Sequence, residues 1–344
     1  MLRRVILLDL NYHLNRASRA PNLAVLRDDQ GRKTGGVFGL LNTIQLCLTR
    51  CQGPDKVIGV WDGGRSARRL ALFPPNVETE TGYKVKRGIL PSMKPEEKAE
   101  KEEMFAMLNL GRQLATPVML ASAIHVVQWP EREADDVIAA MAKAMAGHYA
   151  EQVIIASDDW DYAQTVTEQV CVYRAAADEW LSLHNYMSRV GVPVDWAIVK
   201  KSLEGDDSDN IPGVKGVGEV TVAKAVKEFV AATRPGYQES WYDAHQYRDT
   251  CPADLTPFFD FCGKHKAKNV RKIAEGKDIV LRNTELVDLS REVFPPEHIE
   301  TLIQGVLVPR EFQDMEVVRQ FGEMKINTLL QNFATWSDPF RRIS

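Results

Sequence analysis

Three short apolar segments, each followed at once by acidic residues, limit the folds open to this chain more than any other feature. The segments are residues 5–8 before Asp9, residues 57–61 before Asp62, and residues 153–156 before the acidic stretch 157–161. Each is short and rich in β-branched residues, which is typical of a strand buried on both faces of a parallel sheet. The sequence therefore predicts at least three buried strands.

Helical patterns lie between these segments and complete a strand, helix, strand order. They cover residues 37–51, 96–115 and 135–149. This alternation predicts an α/β fold with a mainly parallel sheet flanked by helices. In open α/β sheets, ligands bind beyond the carboxyl ends of the strands. We therefore expect the acids after the three strands to face one crevice.

Acidic residues are also crowded at two further places, around Glu133 and around Asp206. One acid after a strand is often a helix cap, but three strand ends and two clusters exceed what capping explains. Like charges this close repel each other and raise one another's pKa, so they call for cations. We predict that nine acids form one metal site: Asp9, Asp62, Glu133, Asp135, Asp136, Asp159, Asp161, Asp206 and Asp209.

A ligand set made only of carboxylate oxygens points to a hard cation, Mg²⁺ with Mn²⁺ as a substitute, rather than to zinc. Two or more such ions can activate a water molecule and stabilise the departing oxygen of a phosphodiester. The predicted activity is therefore hydrolysis of a nucleic acid. The seven histidines are dispersed and are assigned to packing or surface roles.

A long insertion separates Asp62 from Glu133, and its charged residues up to position 94 are mainly basic. Its basic residues up to position 94 are Arg65, Arg68, Arg69, Lys84, Lys86, Arg87 and Lys94. Phe73 and Tyr83 lie among them, and such interleaving suits a surface that grips a phosphate backbone and stacks on bases. A solvated charged loop is an equally good interpretation of this segment taken alone.

A glycine-spaced loop at residues 213–218 follows the acids Asp206 and Asp209 and precedes a helix from Thr221 to about residue 230. Backbone amides in such a loop, together with the helix N-terminus, can face phosphates. The loop matches neither a dinucleotide-binding fingerprint nor an ATP-binding loop. The predicted DNA contacts are Arg68, Arg69, Tyr83, Gly213, Lys215, Gly216, Gly218, Thr221 and Lys224.

Length, charge and cysteine content set the remaining limits. The 344 residues favour about two domains or one domain with a large insertion. The net charge of −4 permits a nucleic-acid partner, because removing the nine site acids leaves a basic remainder. The five cysteines are scattered, which argues against a disulfide framework. Cys47 and Cys51 are expected to be buried thiols rather than a metal-binding pair. We expect a cytoplasmic protein with no signal peptide and no membrane span.

These motifs, in this order, resemble the 5′-nuclease superfamily, which includes phage 5′-3′ exonucleases, flap endonucleases and the N-terminal nuclease domain of bacterial DNA polymerase I. The matching segments are residues 8–9, 31–39, 61–62, 83–87, 133–136, 157–164 and 205–218. They span about residues 5–230, two thirds of the chain. All the acidic positions are filled, which argues against an inactive relative.

The resemblance implies a PIN-like domain at residues 1–204 with a helical arch at about 63–130. It implies a helix-three-turn-helix element at about 205–232 and a helical region up to residue 344. It also implies Mg²⁺-dependent cleavage near junctions of single-stranded and duplex DNA, at a free 5′ end. Lys84 and Arg87 would contact the scissile phosphate as catalytic residues, and Tyr83 would stack on an unpaired base.

One position departs from the family pattern. Members usually carry a lysine two residues after the last glycine of the loop, and this chain has Val220 there. Lys215 or Lys224 are the candidates to supply the missing charge. The region after about residue 231 carries no motif with a chemical interpretation.

The expected role is flap or primer removal during phage or bacterial DNA replication, by a monomer that acts on DNA and accepts RNA–DNA hybrids, with RNase H activity. A single-strand-binding protein or a sliding clamp is a candidate partner. Two alternatives stay open: a PIN-type ribonuclease that cuts single-stranded RNA, and a non-catalytic DNA-binding clamp. The glycine loop disfavours the first, and the complete set of acids disfavours the second, because crowded carboxylates repel DNA.

Overall fold

A six-stranded sheet forms the centre of the molecule. The structure is a computed structural model, which describes residues 1–234, 252–292 and 294–343. The strands are β1 (Leu2–Asp9), β2 (Lys56–Trp61), β3 (His125–Gln128), β4 (Ala150–Ala156), β5 (Val170–Arg174) and β6 (Glu179–Leu181). Their order in the sheet is β3-β2-β1-β4-β5-β6, and only β5 and β6 pair antiparallel. The predicted α/β fold with a mainly parallel sheet is confirmed.

The three predicted strands occupy the middle of this sheet. Residue Leu8 of β1 lies opposite Gly59 of β2 and Ala156 of β4, so the carboxyl ends of the three strands are level with each other. The apolar sequence of these strands follows from their burial on both faces. Strands β3, β5 and β6 were not predicted, because they are short and β3 contains histidine and glutamine.

Helices cover both faces of the sheet. In the first two thirds of the chain they are α1 (Leu10–Ser18), α2 (Gly35–Arg50), α3 (Ala67–Leu72), α4 (Pro95–Ala121), α5 (Ala134–Met145), α6 (Tyr186–Val190), α7 (Ala197–Glu204) and α8 (Glu219–Thr233). The predicted helix at 135–149 ends early, because Ala146 is extended and Gly147 has a φ of 72°. That turn leads directly into β4.

The predicted arch range, residues 63–130, contains several kinds of structure. It includes α3, a short 3₁₀ turn at Val85–Arg87, the long helix α4 and the sheet strand β3. The C-terminal end of α4 is buried against the sheet at Val118 and Met119. The part that stands away from the sheet is therefore shorter than the predicted range.

The last third of the chain is helical and shares the cores of the sheet. Its helices are α9 (Thr256–Gly263), α10 (Lys268–Glu275), α11 (Lys277–Val287), α12 (Pro296–Leu307), α13 (Asp314–Glu323), α14 (Asn327–Gln331) and α15 (Phe333–Ser337). Phe258 and Ile273 belong to the apolar cluster on one face of the sheet, and Phe321 and Trp336 to the cluster on the other. The domain boundary at residue 204 stays a prediction, while the apolar core is continuous across it.

Two smaller expectations can be compared with the structure. Cys47 and Cys51 are free and buried, as predicted. Cys171 and Cys262 are also free and buried, and Cys251 lies outside the described residues. Among residues 1–234, 252–292 and 294–343, no helix combines the length and the apolar character needed to span a membrane.

Candidate active site

Acidic side chains follow the three central strands and are fixed there by hydrogen bonds. Asp9 ends β1 and caps α1, where its carboxylate accepts from the Tyr12 amide at 3.0 Å and from the Tyr162 hydroxyl at 3.0 Å. Asp62 follows β2 and accepts from the backbone amide of Ala134 at 2.7 Å. These bonds hold both carboxylates at the carboxyl edge of the sheet, as the strand pattern predicts.

The remaining acids join this edge from three sides. Asp159 and Asp161 lie on the turn after β4, and Asp159 accepts from the Asp161 amide at 2.9 Å. Asp206 and Asp209 lie on a small hairpin formed by β7 (Gly205–Asp206) and β8 (Ile211–Pro212). Each of the nine predicted acids lies close enough to at least one other of the nine for their charges to interact. The structure therefore brings the whole predicted set together.

The acids at the start of α5 form the tightest group. One carboxylate oxygen from each of Glu133, Asp135 and Asp136 lies within 4.8 Å of the other two. In the described part of the chain, no histidine or cysteine joins this group. Glu133 and Asp136 are buried, whereas Asp135 is partly exposed. A donor set of carboxylates alone fits a hard divalent cation such as Mg²⁺.

Four basic side chains reach into the acidic site. Arg69 contacts Glu133 and Asp136, with one nitrogen to oxygen distance of 2.6 Å to each. Lys84 lies 2.7 Å from Glu133 and 3.6 Å from Asp209. The other two contacts are Arg87 with Asp209, and Lys201 with Asp161 at 2.6 Å and Asp206 at 2.7 Å. These cations neutralise part of the crowded negative charge.

The segment that carries Lys84 and Arg87 is bonded to the hairpin beside these cations. The amide of Lys84 donates to the Asp209 carbonyl at 2.8 Å, and the Arg87 side chain donates to the Ser208 carbonyl at 3.1 Å. Lys84 has a φ of 54°, which is strained for a residue with a side chain. The two predicted catalytic residues therefore lie between the α5 acids and the hairpin acids.

Three predicted DNA contacts point inward, which is a correction. Arg69 is 2% exposed, and Tyr83 is 1% exposed with its hydroxyl donating to Glu133 at 2.6 Å. Arg68 is partly buried, pairs with Glu292 and donates to the carbonyl of Glu285. The prediction treated basic and aromatic residues of the insertion as exposed, but buried carboxylates attract buried cations and hydroxyl donors. In this structure Tyr83 has no face free for base stacking.

The other predicted DNA contacts lie on or beside the glycine loop. Lys215, Gly216, Gly218 and Lys224 are exposed, while Gly213 and Thr221 are half-buried. Gly216 has a φ of 77°, a conformation that glycine adopts without strain. Gly213 packs so closely on the end of α7 that a Cβ there would lie 2.2 Å from the Glu204 carbonyl oxygen. The loop thus depends on glycine for its turn and for its close approach.

A basic surface from the last third of the chain lies next to this loop, and sequence analysis did not assign it a role. The Lys272 amine of α10 lies 2.5 Å from the position that a Cβ of Gly216 would take. Lys224 of α8 and Lys264 and Lys266 of the segment before α10 line a cavity of about 510 Å³. Val220, which stands where the family usually has lysine, is 82% exposed. No local motif marks this surface, because it is assembled from α8, α10 and the segment before α10.

Burial raises the pKa values of the site acids, and neighbouring cations oppose it to different degrees. Burial, reinforced by Asp62 and Asp159, raises the pKa of Asp9 to about 7. Burial and then Asp159 raise the pKa of Asp161 to about 7. Burial alone would raise the pKa of Glu133 as well, but Lys84 and Arg69 outweigh it and lower that pKa to about 2. Without a divalent cation, Asp9 and Asp161 are therefore only partly ionised near neutral pH.

We predict that divalent cation binding releases protons and weakens as the pH falls. At a pKa of about 7, each of these two carboxyls is about 90% protonated at pH 6 and about 10% at pH 8. Each proton that a cation must displace lowers the apparent affinity about tenfold over this range. Calorimetric Mn²⁺ titrations at pH 8 and 6, in buffers of different ionisation enthalpy, measure both quantities. An affinity and proton release that do not change with pH would contradict the prediction.

Comparison with known proteins places this chain in a family. The family model described as the 5′-3′ exonuclease, N-terminal resolvase-like domain, matches residues 4–191, more than half of the chain. DNA polymerase I of Bacillus subtilis (strain 168) is 26% identical over 333 residues, covering 96% of this chain and 32% of that protein. A 5′-3′ exonuclease of the same organism is 28% identical, covering 60% of this chain and 63% of that protein. The chain thus spans about a third or less of the polymerases that it matches.

Solved structures show the same fold. The T5 5′-exonuclease with bound zinc ions has a TM-score of 0.61 at 21% identity, covering 94% of this chain and all of that one. The flap endonuclease of bacteriophage T5, solved with DNA and metal ions, has a TM-score of 0.60 at 19% identity, covering 98% of this chain and 100% of that one. The family model matched over more than half of the chain shows that the chain, with its acid-lined edge of a parallel sheet, belongs to the 5′-3′ exonuclease family.

Proposed function

We propose that this protein is a structure-selective 5′-3′ exonuclease and flap endonuclease that hydrolyses phosphodiesters near junctions of single-stranded and duplex DNA, with Mg²⁺ as its cofactor. The observation that carries the proposal is the convergence of nine carboxylates with Lys84 and Arg87 beside them. Family membership supports the activity, and the T5 flap endonuclease with DNA and metal ions shares the fold.

The carboxylates are the groups that would hold Mg²⁺, with Asp135 as the most accessible member of the tightest group. When bound, Mg²⁺ supplies Lewis-acid activation of water and charge stabilisation at the phosphodiester. The protein contributes fixed positions for the carboxylates, because amides of Tyr12, Ala134 and Asp161 hold their partners before any cation binds. Such preorganisation reduces the reorganisation that the reaction requires.

Lys84 and Arg87 would orient the scissile phosphate between the arch and the hairpin. Both side chains now pair with site acids, Lys84 with Glu133 and Arg87 with Asp209. A phosphate that enters the site would offer each of these side chains an anionic oxygen in place of the carboxylate oxygen that it now contacts. Burial would lower the pKa of Lys84, but Glu133 and Asp209 outweigh it and raise that pKa, so the amine stays charged.

The glycine loop and the basic surface beside it would hold the duplex. Lys215 and Lys224 are exposed there, and Lys272 lies over Gly216. Phosphate contacts from lysine position a duplex without reading its sequence, which suits an enzyme that selects structure. Lys272 also supplies positive charge to the loop at Gly216, four residues before Val220, the position at which the family lysine is missing.

The proposed biological role is flap or primer removal in DNA replication, in keeping with the polymerase relatives. Action on RNA–DNA hybrids, a monomeric state, and contact with a single-strand-binding protein or a sliding clamp stay predictions. Localisation in the cytoplasm is likewise a prediction.

A cleavage assay with a 5′-labelled flap tests the function. We expect product that ends near the junction with Mg²⁺, and no product with EDTA. A single strand of RNA of the same length is the comparison substrate. The Asp135→Asn variant, which we expect to be inactive, is the control protein. Cutting of the RNA alone would favour the ribonuclease, and binding of the flap without cleavage would favour the non-catalytic clamp.

A further inference from the structure

Lys201 lies between two site carboxylates, Asp161 and Asp206, which belong to different structural elements. The Lys201 amine of α7 lies 2.6 Å from an oxygen of Asp161 and 2.7 Å from an oxygen of Asp206. Asp161 belongs to the turn after β4, and Asp206 to the hairpin strand β7. An ammonium group at these distances occupies the space between two oxygens that would otherwise be available to hold a divalent cation.

We propose that Lys201 is a resident cation of the Asp161–Asp206 pair: it holds the two carboxylates together and competes with a divalent cation for them. The inference rests on the proposed function, since it assumes that these acids take part in binding a divalent cation. It goes further by assigning to one lysine the control of how tightly the Asp161–Asp206 pair binds a divalent cation.

Local contacts explain why this pair needs a counter-ion. Asp206 turns one oxygen toward the amides of Ser208 and Asp209, at 2.8 and 3.2 Å, which leaves the other oxygen facing Lys201. Asp161 also lies next to Asp159 and Asp206, both negatively charged neighbours. Without Lys201 the two carboxylates would repel each other across the gap between the sheet and the hairpin.

The Lys201 side chain borders a cavity into which its amine could be displaced. A cavity of about 460 Å³ lies beside it, lined among others by Gln164, Glu204 and Glu219. Lys201 is 25% exposed at its side chain, and Glu219 is 71% exposed. A displaced ammonium therefore reaches water and carboxylates in the same cavity, so displacement does not leave a buried unpaired charge.

The neighbouring lysine provides a matched control. Lys200 pairs with Glu204 at 2.7 Å and with Glu219 at 3.5 Å, and neither of these acids belongs to the nine site carboxylates. Lys200→Met and Lys201→Met remove the same charge from adjacent positions of α7. A general change in net charge would affect both variants alike, whereas a resident cation affects only the second.

The test is a Mn²⁺ titration of the full chain without DNA. Calorimetry and the electron paramagnetic resonance signal of free Mn²⁺ both measure the binding. We expect Lys201→Met to bind its weaker Mn²⁺ ion about tenfold more tightly, a change of about 1.4 kcal/mol, with Lys200→Met unchanged. The melting temperature of Lys201→Met should be lower in EDTA and should rise more on addition of Mn²⁺ than that of the wild type. Lys201→Gln serves as the second variant if the methionine variant does not fold.

The outcomes separate this proposal from the proposed function. Equal Mn²⁺ affinities in the wild type and both lysine 201 variants, or an equal gain in Lys200→Met, would overturn the resident-cation proposal while flap cleavage persists. Weaker Mn²⁺ binding in Lys201→Met would overturn it too, because the lysine would then assist the cation. A wild-type chain that binds no Mn²⁺ and cleaves no flap would overturn both.

Discussion

Replacement of Asp135 by Asn is expected to lower flap cleavage at least about 10³-fold, which corresponds to about 4 kcal/mol of transition-state stabilisation. Asp135 is the partly exposed member of the tight acidic group, so its loss removes a candidate ligand from the open side of the site. The asparagine oxygen can still accept from the Asp136 amide, as Asp135 does at 2.8 Å. We therefore expect an unchanged fold, and an equal or higher affinity for flap DNA because one negative charge is gone. Single-turnover rates and equilibrium binding in EDTA measure the two effects.

The adjacent acid provides the control for this experiment. Asp136 is fully buried and receives two hydrogen bonds from the Arg69 guanidinium, at 2.6 and 3.0 Å. Asp136→Asn should therefore lower the melting temperature as well as the cleavage rate, because it leaves a buried cation with less counter-charge. Loss of folding in Asp135→Asn, or cleavage within tenfold of wild type, would contradict the assignment of Asp135 to the chemistry.

Removal of the Arg69 charge is expected to lower the free energy of unfolding by about 3–5 kcal/mol in EDTA, the usual loss when a buried ion pair loses one partner. Arg69→Met leaves Glu133 and Asp136 buried without their shared counter-ion. It also removes the 2.9 Å bond from the guanidinium to the Leu286 carbonyl, which links α3 to the end of α11. Urea unfolding followed by circular dichroism measures the loss.

A divalent cation should restore part of this stability, since it can neutralise the same carboxylates. Mn²⁺ is therefore expected to stabilise Arg69→Met more than it stabilises the wild type. Arg65→Met is the matched control, because Arg65 is exposed on the same segment. If Arg69→Met and Arg65→Met unfold at the same urea concentration in EDTA, Arg69 is not a structural counter-ion.

The central sheet and its acids follow from local sequence. Strands at the middle of a parallel sheet are buried on both faces, so their apolar character shows in short windows. The residue after such a strand lies at the carboxyl edge whatever the rest of the chain does, which is why Asp9 and Asp62 could be assigned to one crevice. The glycine loop was likewise visible, because backbone conformation restricts residue type at Gly216.

The partners of the charged residues depended on the tertiary structure. Arg69, Tyr83 and Lys201 belong to segments whose sequence does not distinguish a buried counter-ion from a surface residue, and their roles follow from contacts with Glu133, Asp136, Asp161 and Asp206. The helices after residue 252 complete the core and the basic surface without any motif of their own. Periodicity reports which face of an element is apolar, and only packing decides which distant element meets that face. The sequence alone therefore determined the three central strands and the carboxylates at the edge of the sheet, and the tertiary structure decided which cations hold those carboxylates in place.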